Sequence, residues 1–431
     1  MKADKFDHRA RCLTRFMAVL LFTTCAARVW AGGAYFYEIA TPAEISIATA
    51  APTARAQDAG TVFTNPAGMT RFSNDELLVS GAALYIYGNF NPDPNKTTIP
   101  GSDGQSSEVI PYGSVQYIHS ISPRLKVGVS GHNYFGLTLD WSADWVGRYN
   151  SVSATLMAPQ LQPTIAYKVN DWLSVGAGAA LTMGVLRDKT RVVNVDPNEG
   201  DGKLRIRDTD FAVQGNFGLM VEPSENTRFG LRYLTKTKID WKDKPRFGGL
   251  GPILQAELDA IGGPKQLELG INMPEALSAG LFHQINDKWA VLGSVAWENW
   301  TQFGRVTVAV KDITPGTLTE ELKFRDSWNF GIGAQYQYSP KWQYSAGFSY
   351  ATNIATEATR SIELPIGTQY KYGLGLNYQM RKDLQLGTAA EFLYEGNLPV
   401  KQEEFFRVGQ LGGKYQNVSI SIFTVYGKWT F

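Results

Sequence analysis

Cysteine is almost absent: the 431-residue chain has two, Cys12 and Cys25, both within its first 31 residues. The remainder needs no disulfide to hold it. Long apolar runs are missing as well, since nothing past residue 31 approaches the roughly 20 residues of a membrane-crossing helix. Net charge is only +1, with 41 basic and 40 acidic residues, and nothing in that balance suggests nucleic acid. Histidine is scarce too. Beyond the leader only His119, His132 and His283 remain, with neither a Gly-x-Ser-x-Gly elbow nor a His-Glu-x-x-His pair beside them. Hydrolytic chemistry therefore has no visible machinery, and neither a metal nor a cofactor is expected.

The leader itself is legible. Lys2, Lys5, Arg9, Arg11 and Arg15 precede the apolar run Phe16 to Phe22, and Val29-Trp30-Ala31 offers small residues three apart before Gly32. This is the pattern of a secretory signal peptide over 1–31. Cys25 as a lipidation site is the alternative, which Thr24 and Phe22 fit poorly. Loss of the leader removes six basic and two acidic residues and turns the net charge to −3. An exported chain without membrane helices is periplasmic, secreted, or an outer-membrane barrel. The 43 glycines, 20 tyrosines and 11 tryptophans favour the barrel, whose strands need aromatic girdles and close backbone approach.

From Glu76 onward the sequence alternates with period two, as a wall with lipid on one side and a polar lumen on the other requires. Trp328, Phe330, Ile332, Ala334 and Tyr336 interleave with Ser327, Asn329, Gly331, Gly333 and Gln335; Leu173 to Val185 and Tyr370 to Tyr378 repeat the pattern. A soluble sandwich would alternate too. The polar face here, however, is Gly, Ser, Gln and Asn rather than the Lys and Glu of a solvated surface. Fourteen segments are expected: 76–90, 113–121, 125–137, 159–169, 173–189, 206–221, 227–241, 266–284, 288–303, 322–338, 342–352, 367–379, 383–396 and 416–431. Tight turns such as Ser122-Pro123 and Asn286-Asp287 alternate with long loops, which places both termini on the periplasmic side. The fold class is all-β, a 14-stranded antiparallel transmembrane β-barrel. Ahead of it, Ala56 to Phe72 is too broken by Pro66 and Gly68 for a strand, and reads as a plug.

The chain resembles the FadL family of outer-membrane channels for long-chain fatty acids and other hydrophobic compounds. The residues that carry the likeness are Asp58-Ala59, Asn65-Pro66-Ala67-Gly68-Met69, Asn133-Tyr134-Phe135-Gly136-Leu137, Lys238-Ile239-Asp240-Trp241, Asn272-Met273-Pro274-Glu275 and Trp297 to Phe303. The aromatic last residue, Phe431, looks like the terminal signal read by the barrel assembly machinery; an ordinary aromatic strand end is the alternative. The resemblance implies an N-terminal hatch, here 32–73, inside a barrel over 74–431, with Asn65, Pro66 and Ala67 seating the hatch; a mere turn into the first strand is the alternative. It implies that Tyr35, Phe36 and Tyr37 line the ligand pocket, unless they are a disordered tail. It also implies a kink at Phe135-Gly136 through which ligand leaves sideways into the membrane; this chain has one residue more there than the family's Asn-Tyr-Gly.

One charge is placed by parity. Arg325 shares the phase of Ser327 and Asn329, so it is expected in the lumen, where a ligand carboxylate or a plug carboxylate would pair with it. The segment 252–261 reads as a short amphipathic helix on an outer loop, resembling a surface capture site. The function implied is passive uptake of long-chain fatty acids by a monomer in the bacterial outer membrane, with outer-membrane lipid around it. Uptake of neutral aromatic hydrocarbons is the alternative, and an outer-membrane lipase or protease a third, disfavoured class.

Overall fold

The computed structural model describes residues 37–431 except 197, 313–316, 361, 363–364 and 406–407. The strands are β1 (Glu76–Pro92), β2 (Gly104–Ser120), β3 (Leu125–Asp140), β4 (Ser153–Lys168), β5 (Leu173–Val192), β6 (Gly202–Ser224), β7 (Thr227–Leu234), β8 (Thr237–Asp243), β9 (Arg246–Gly248) and β10 (Leu267–Met273). They continue as β11 (Ala276–Gln284), β12 (Trp289–Glu298), β13 (Arg305–Val310), β14 (Leu318–Glu321), β15 (Ser327–Gln337), β16 (Trp342–Ala351), β17 (Gln369–Arg381), β18 (Leu384–Phe405) and β19 (Gly409–Thr430). Fourteen of them, β1 to β7, β11, β12 and β15 to β19, form one antiparallel wall. It closes because β5 pairs with β6 and β1 with β19, from Glu76↔Thr430 upward. Closure leaves no wall strand without a partner, the condition for strands to cross a bilayer.

Alternation sorts the side chains as expected. Phe330, Ile332, Leu374, Phe423, Val425, Phe211 and Val213 are exposed on the outside, while Ser327, Asn329, Gln162, Asn216 and Ser349 are buried inside. An apolar outer band of this extent is intelligible only with lipid against it. Among the described residues no helix is long and apolar enough to cross a membrane.

Two expected wall strands are broken in two. The segment expected over 227–241 leaves the wall after Leu234, and the one over 266–284 enters it only at Ala276. Between these points β8 and β10 pair with each other, and with β13 and β14 form a separate four-stranded sheet. Pro274 marks one break, because it has no N–H to give a ladder. Trp241 hangs from this sheet into the lumen, its Nε1 donating to the Gly184 carbonyl of β5 at 2.8 Å. With Leu186, Leu204, Leu269 and Val308 it builds the apolar roof of the barrel. Further differences are at strand ends: the segment expected over 288–303 finishes as strand at Glu298 and turns helical at Trp300–Phe303, and β2, β4, β18 and β19 extend well beyond the ranges expected.

Candidate functional site

Inside the wall lies the amino-terminal segment, a chain of short helical turns at Tyr37–Ala40, Pro42–Ile45, Pro52–Arg55, Thr61–Thr64 and Pro66–Arg71. From Ile39 to Thr70 every residue except Gln57 is buried. A backbone so enclosed needs partners for its polar groups, and the wall supplies them. Gln116 donates to the Ala40 carbonyl, Gln162 to Val62 and Asn216 to Phe63, each at 2.8 Å, and Arg228 Nε donates to Ala54 at 2.6 Å. The same segment runs round the inner circumference on small residues. A Cβ at Gly373 of β17, Gly347 of β16, Gly230 of β7 or Gly218 of β6 would overlap Ile45, Ile47, Thr53 or Asn65 respectively. On β12 the Ser294 hydroxyl donates to the Thr49 carbonyl at 3.2 Å.

Asn65 joins three pieces at once. Its Nδ2 donates to the Thr53 carbonyl at 2.7 Å and to Leu219 of β6 at 3.1 Å, while Oδ1 accepts from the Ala67 N–H at 3.1 Å. Pro66 and Ala67 lie against Gly176 of β5. A buried ion cluster stands nearby: Arg55 pairs with Glu44 at 3.0 Å and with Asp58. Burial alone would push the Arg55 guanidinium down, but Asp58 and Glu44 together hold it above its ordinary value. Glu76 of β1 accepts from the Ala59 N–H at 2.6 Å, and Lys428 of β19 donates to the Gln57 carbonyl at 3.3 Å. Four segment residues, Ala48, Thr49, Ala51 and Ala56, have positive φ without being glycine. Such conformations persist only where surroundings impose them.

The wall has a window. β2 and β3 pair only from Ser120↔Lys126 to Val115↔Gly131, whereas both strands continue beyond, β2 along β1 and β3 along β4. Ser106 Oγ, 3.3 Å from the Asp140 nitrogen, closes the top. The extra residue of Asn133-Tyr134-Phe135-Gly136 is absorbed here as a bulge, where the register with β4 shifts between Asn133 and Phe135. Phe135 is buried 6.0 Å from the Phe303 ring, and Gly136 opens onto a cavity lined by Ile39, Leu84, Ile110, Tyr112 and Met157. Ile39 belongs to the segment inside the barrel, so its beginning faces the gap. Tyr134 in turn meets Phe63 edge-on at 6.1 Å.

Tyr35 and Phe36 lie outside the described residues; Tyr37 opens the first turn. Arg325 is a correction. Alternation begins only at Ser327, and residues 322–326 are not in a strand; Phe324 turns inward and is buried, so Arg325 is exposed rather than enclosed. The lysine that does line the upper lumen is Lys371 of β17, in a cavity with Ser327, Asn329, Gln369, Trp300, Ile354 and Ile366. Its signal was the polar parity of Lys371, Gly373 and Gly375, legible once those glycines are known to hold the inner segment. The short helix expected over 252–261 is present as Pro252–Ala260, but its apolar face is not open. Leu254 and Leu258 are buried, and Ile253 is its exposed large apolar side chain. Among the described residues no group of His, Cys, Asp and Glu could hold a metal ion.

A closed fourteen-stranded wall, an inner plug and a lateral gap together narrow the comparison with known proteins. The sequence profile of the outer membrane protein transport proteins (OMPP1/FadL/TodX) matches residues 22–431. The chain belongs to this family. It is 24% identical over 411 residues to a long-chain fatty acid transport protein of Escherichia coli O6:H1, covering 88% of this chain and 90% of that one. The crystal structure of a Pseudomonas aeruginosa FadL homologue superposes with a TM-score of 0.82 at 19% identity, over 90% of this chain and 98% of the other. That of the toluene transporter TodX of P. putida gives 0.66 at 17%, over 95% and 99%. As a FadL/TodX-family member this chain is an outer-membrane transporter of hydrophobic compounds, and the segment inside its wall is the hatch.

Proposed function

We propose that this chain carries long-chain fatty acids passively from outside the cell into the outer membrane, releasing them through the window between β2 and β3. The observation that carries the reading is the end of the β2–β3 ladder at Gly131, with the apolar Ile39 of the hatch behind the gap and Met157, Leu84 and Ile110 around it. Each buried methylene is worth about 0.8 kcal/mol, so an acyl chain favours lipid over a wet periplasmic exit. The upper cavity is lined by Lys371 together with Glu298, Trp300, Ile354 and Ile366, so a fatty-acid carboxylate would meet the lysine beside an acid already present and lay its tail on the apolar side chains. The fatty acid transport named for the E. coli relative agrees with this chemistry. Hatch movement couples the two sites: the left-handed residues near Ala48 and Ala51 store strain, and Phe63 touches Tyr134 at the bulge.

The test compares oleate with toluene, in binding to purified protein and in uptake by cells. Oleate is expected to bind the wild type at least about tenfold more tightly, with the advantage lost in Lys371→Ala, whereas equal toluene binding unaffected by Lys371→Ala would replace the reading by aromatic hydrocarbon uptake. A side chain at Gly136 would meet only Met157 Cγ, at 3.9 Å. Gly136→Phe should therefore fill the window and stop uptake while the barrel still folds. Undiminished uptake in that variant would remove lateral exit.

A further inference from the structure

The outer ends of β5 and β6 carry an unusual register. Arg187 stands directly opposite Arg207, Lys189 opposite Arg205, and Arg191 opposite Lys203; Arg246 of β9 then lies opposite Arg205. Like charges facing each other across a ladder are destabilising. Their alternates Leu186, Asp188, Val192, Leu204 and Ile206 are buried, so the cationic row shares the outward parity of Leu181, Phe211 and Val213. All seven are exposed except the half-buried Arg191, and among the described residues none forms an ion pair. Nearby acids are engaged with backbone N–H groups. Asp208 and Asp210 accept backbone N–H groups of Lys242 and Asp240, and Asp243 accepts that of Arg207.

The position decides the partner. Below the row, outward residues of β5 are apolar from Val175 to Val185, and those of β6 from Phe211 to Val221. Ten residues at about 3.4 Å each, tilted about 40°, match an apolar band about 25 Å tall. Arg187 and Arg207 thus begin where the lipid tails end, at the headgroup level of the outer leaflet. Elsewhere the same rim is aromatic, through Tyr350, Tyr370 and Tyr394 paired across β16, β17 and β18. Three rungs spaced about 7 Å apart offer several guanidinium forks, which fit phosphate oxygens two at a time.

We propose that this face of β5 and β6 is a binding site for a multiply phosphorylated, acylated glycolipid of the outer leaflet, its phosphates on the cationic rungs and its acyl chains on the apolar band beneath. The bound anions relieve the repulsion that the register builds in.

The full mature protein tests this by native mass spectrometry with bis-phosphorylated lipid A, dephosphorylated lipid A and phosphatidylcholine as probes. Wild type should retain bis-phosphorylated lipid A at least about tenfold more than either other lipid. The triple variant Arg187→Gln, Arg205→Gln, Arg207→Gln should lose that preference, while Lys238→Gln with Lys242→Gln, on the roof sheet, should keep it. In lipid-free detergent the triple variant should melt no lower than wild type, since repulsion is removed. Equal retention of lipid A by the triple variant, or equal retention of the dephosphorylated form, would overturn the proposal. So would full displacement by inorganic pyrophosphate, which would assign the site to a free anion.

Discussion

Asn65 binds three backbone groups with one side chain, at a place where water cannot substitute. Removing such a group strands buried donors and acceptors at about 1–3 kcal/mol. Asn65→Ala should therefore loosen the hatch and slow uptake with the barrel intact, measured by oleate import against heat-modifiable mobility. Unchanged import would detach Asn65 from hatch seating. A second residue acts at the periplasmic seam. Asp75, just before β1, accepts from the Ser120 N–H at 2.8 Å and contacts His119 Nδ1 and Tyr117 OH at 2.7 Å, while its carbonyl accepts from the Phe431 N–H. The Ser120 N–H first, then His119 and Tyr117, lower its pKa from 3.8 to about 2. A depressed carboxylate contributes stability above its unfolded pKa and loses it as pH falls through the folded one. The melting temperature of wild type should exceed that of Asp75→Asn near pH 6, and the gap should close between about pH 4 and pH 2. A gap that persisted at the acid end would show that the carboxylate charge is not responsible.

At the scale of elements, the hatch is held less by side chains interlocking than by its backbone lying in a groove of missing ones. Gly347 and Gly230 come from strands far apart in sequence, yet each faces a hatch carbonyl, of Ile47 and Thr53. Gly347→Val or Gly230→Val must displace that backbone, an overpacking cost of about 1–3 kcal/mol. Trypsin should then reach Arg55, which is buried in the intact protein, while the wall stays folded. Gly81→Val on the lipid side, where a Cβ meets nothing within 4 Å, should leave both unchanged. Cleavage equal in all three variants would show that the groove does not seat the hatch.

Across the whole molecule, wall and plug are separable in their bonding. The wall's ladders close on themselves through β5–β6 and β1–β19 without using the hatch. Deleting residues 37–72 should leave an assembled barrel that conducts ions where the intact protein does not, read as single-channel conductance; failure to assemble would make the hatch part of the folding core. Period-two alternation alone determined the fourteen crossings and which face meets lipid, because pleating sends neighbouring side chains to opposite sides whatever the partner strand. Asn65-Pro66-Ala67 and Phe135-Gly136 stood out only through the family resemblance, since Asn-Pro-Ala alone is a common turn. Parity could not say where a strand stops, so Arg325 was placed inside when the chain had already left the ladder. Nor could it show that 237–243 and 267–273 leave the wall to build a roof, that Lys371 lines the upper cavity, or that Arg187 faces Arg207. Those depend on which strands become neighbours and in what register, contacts between distant residues that only closure of the barrel fixes.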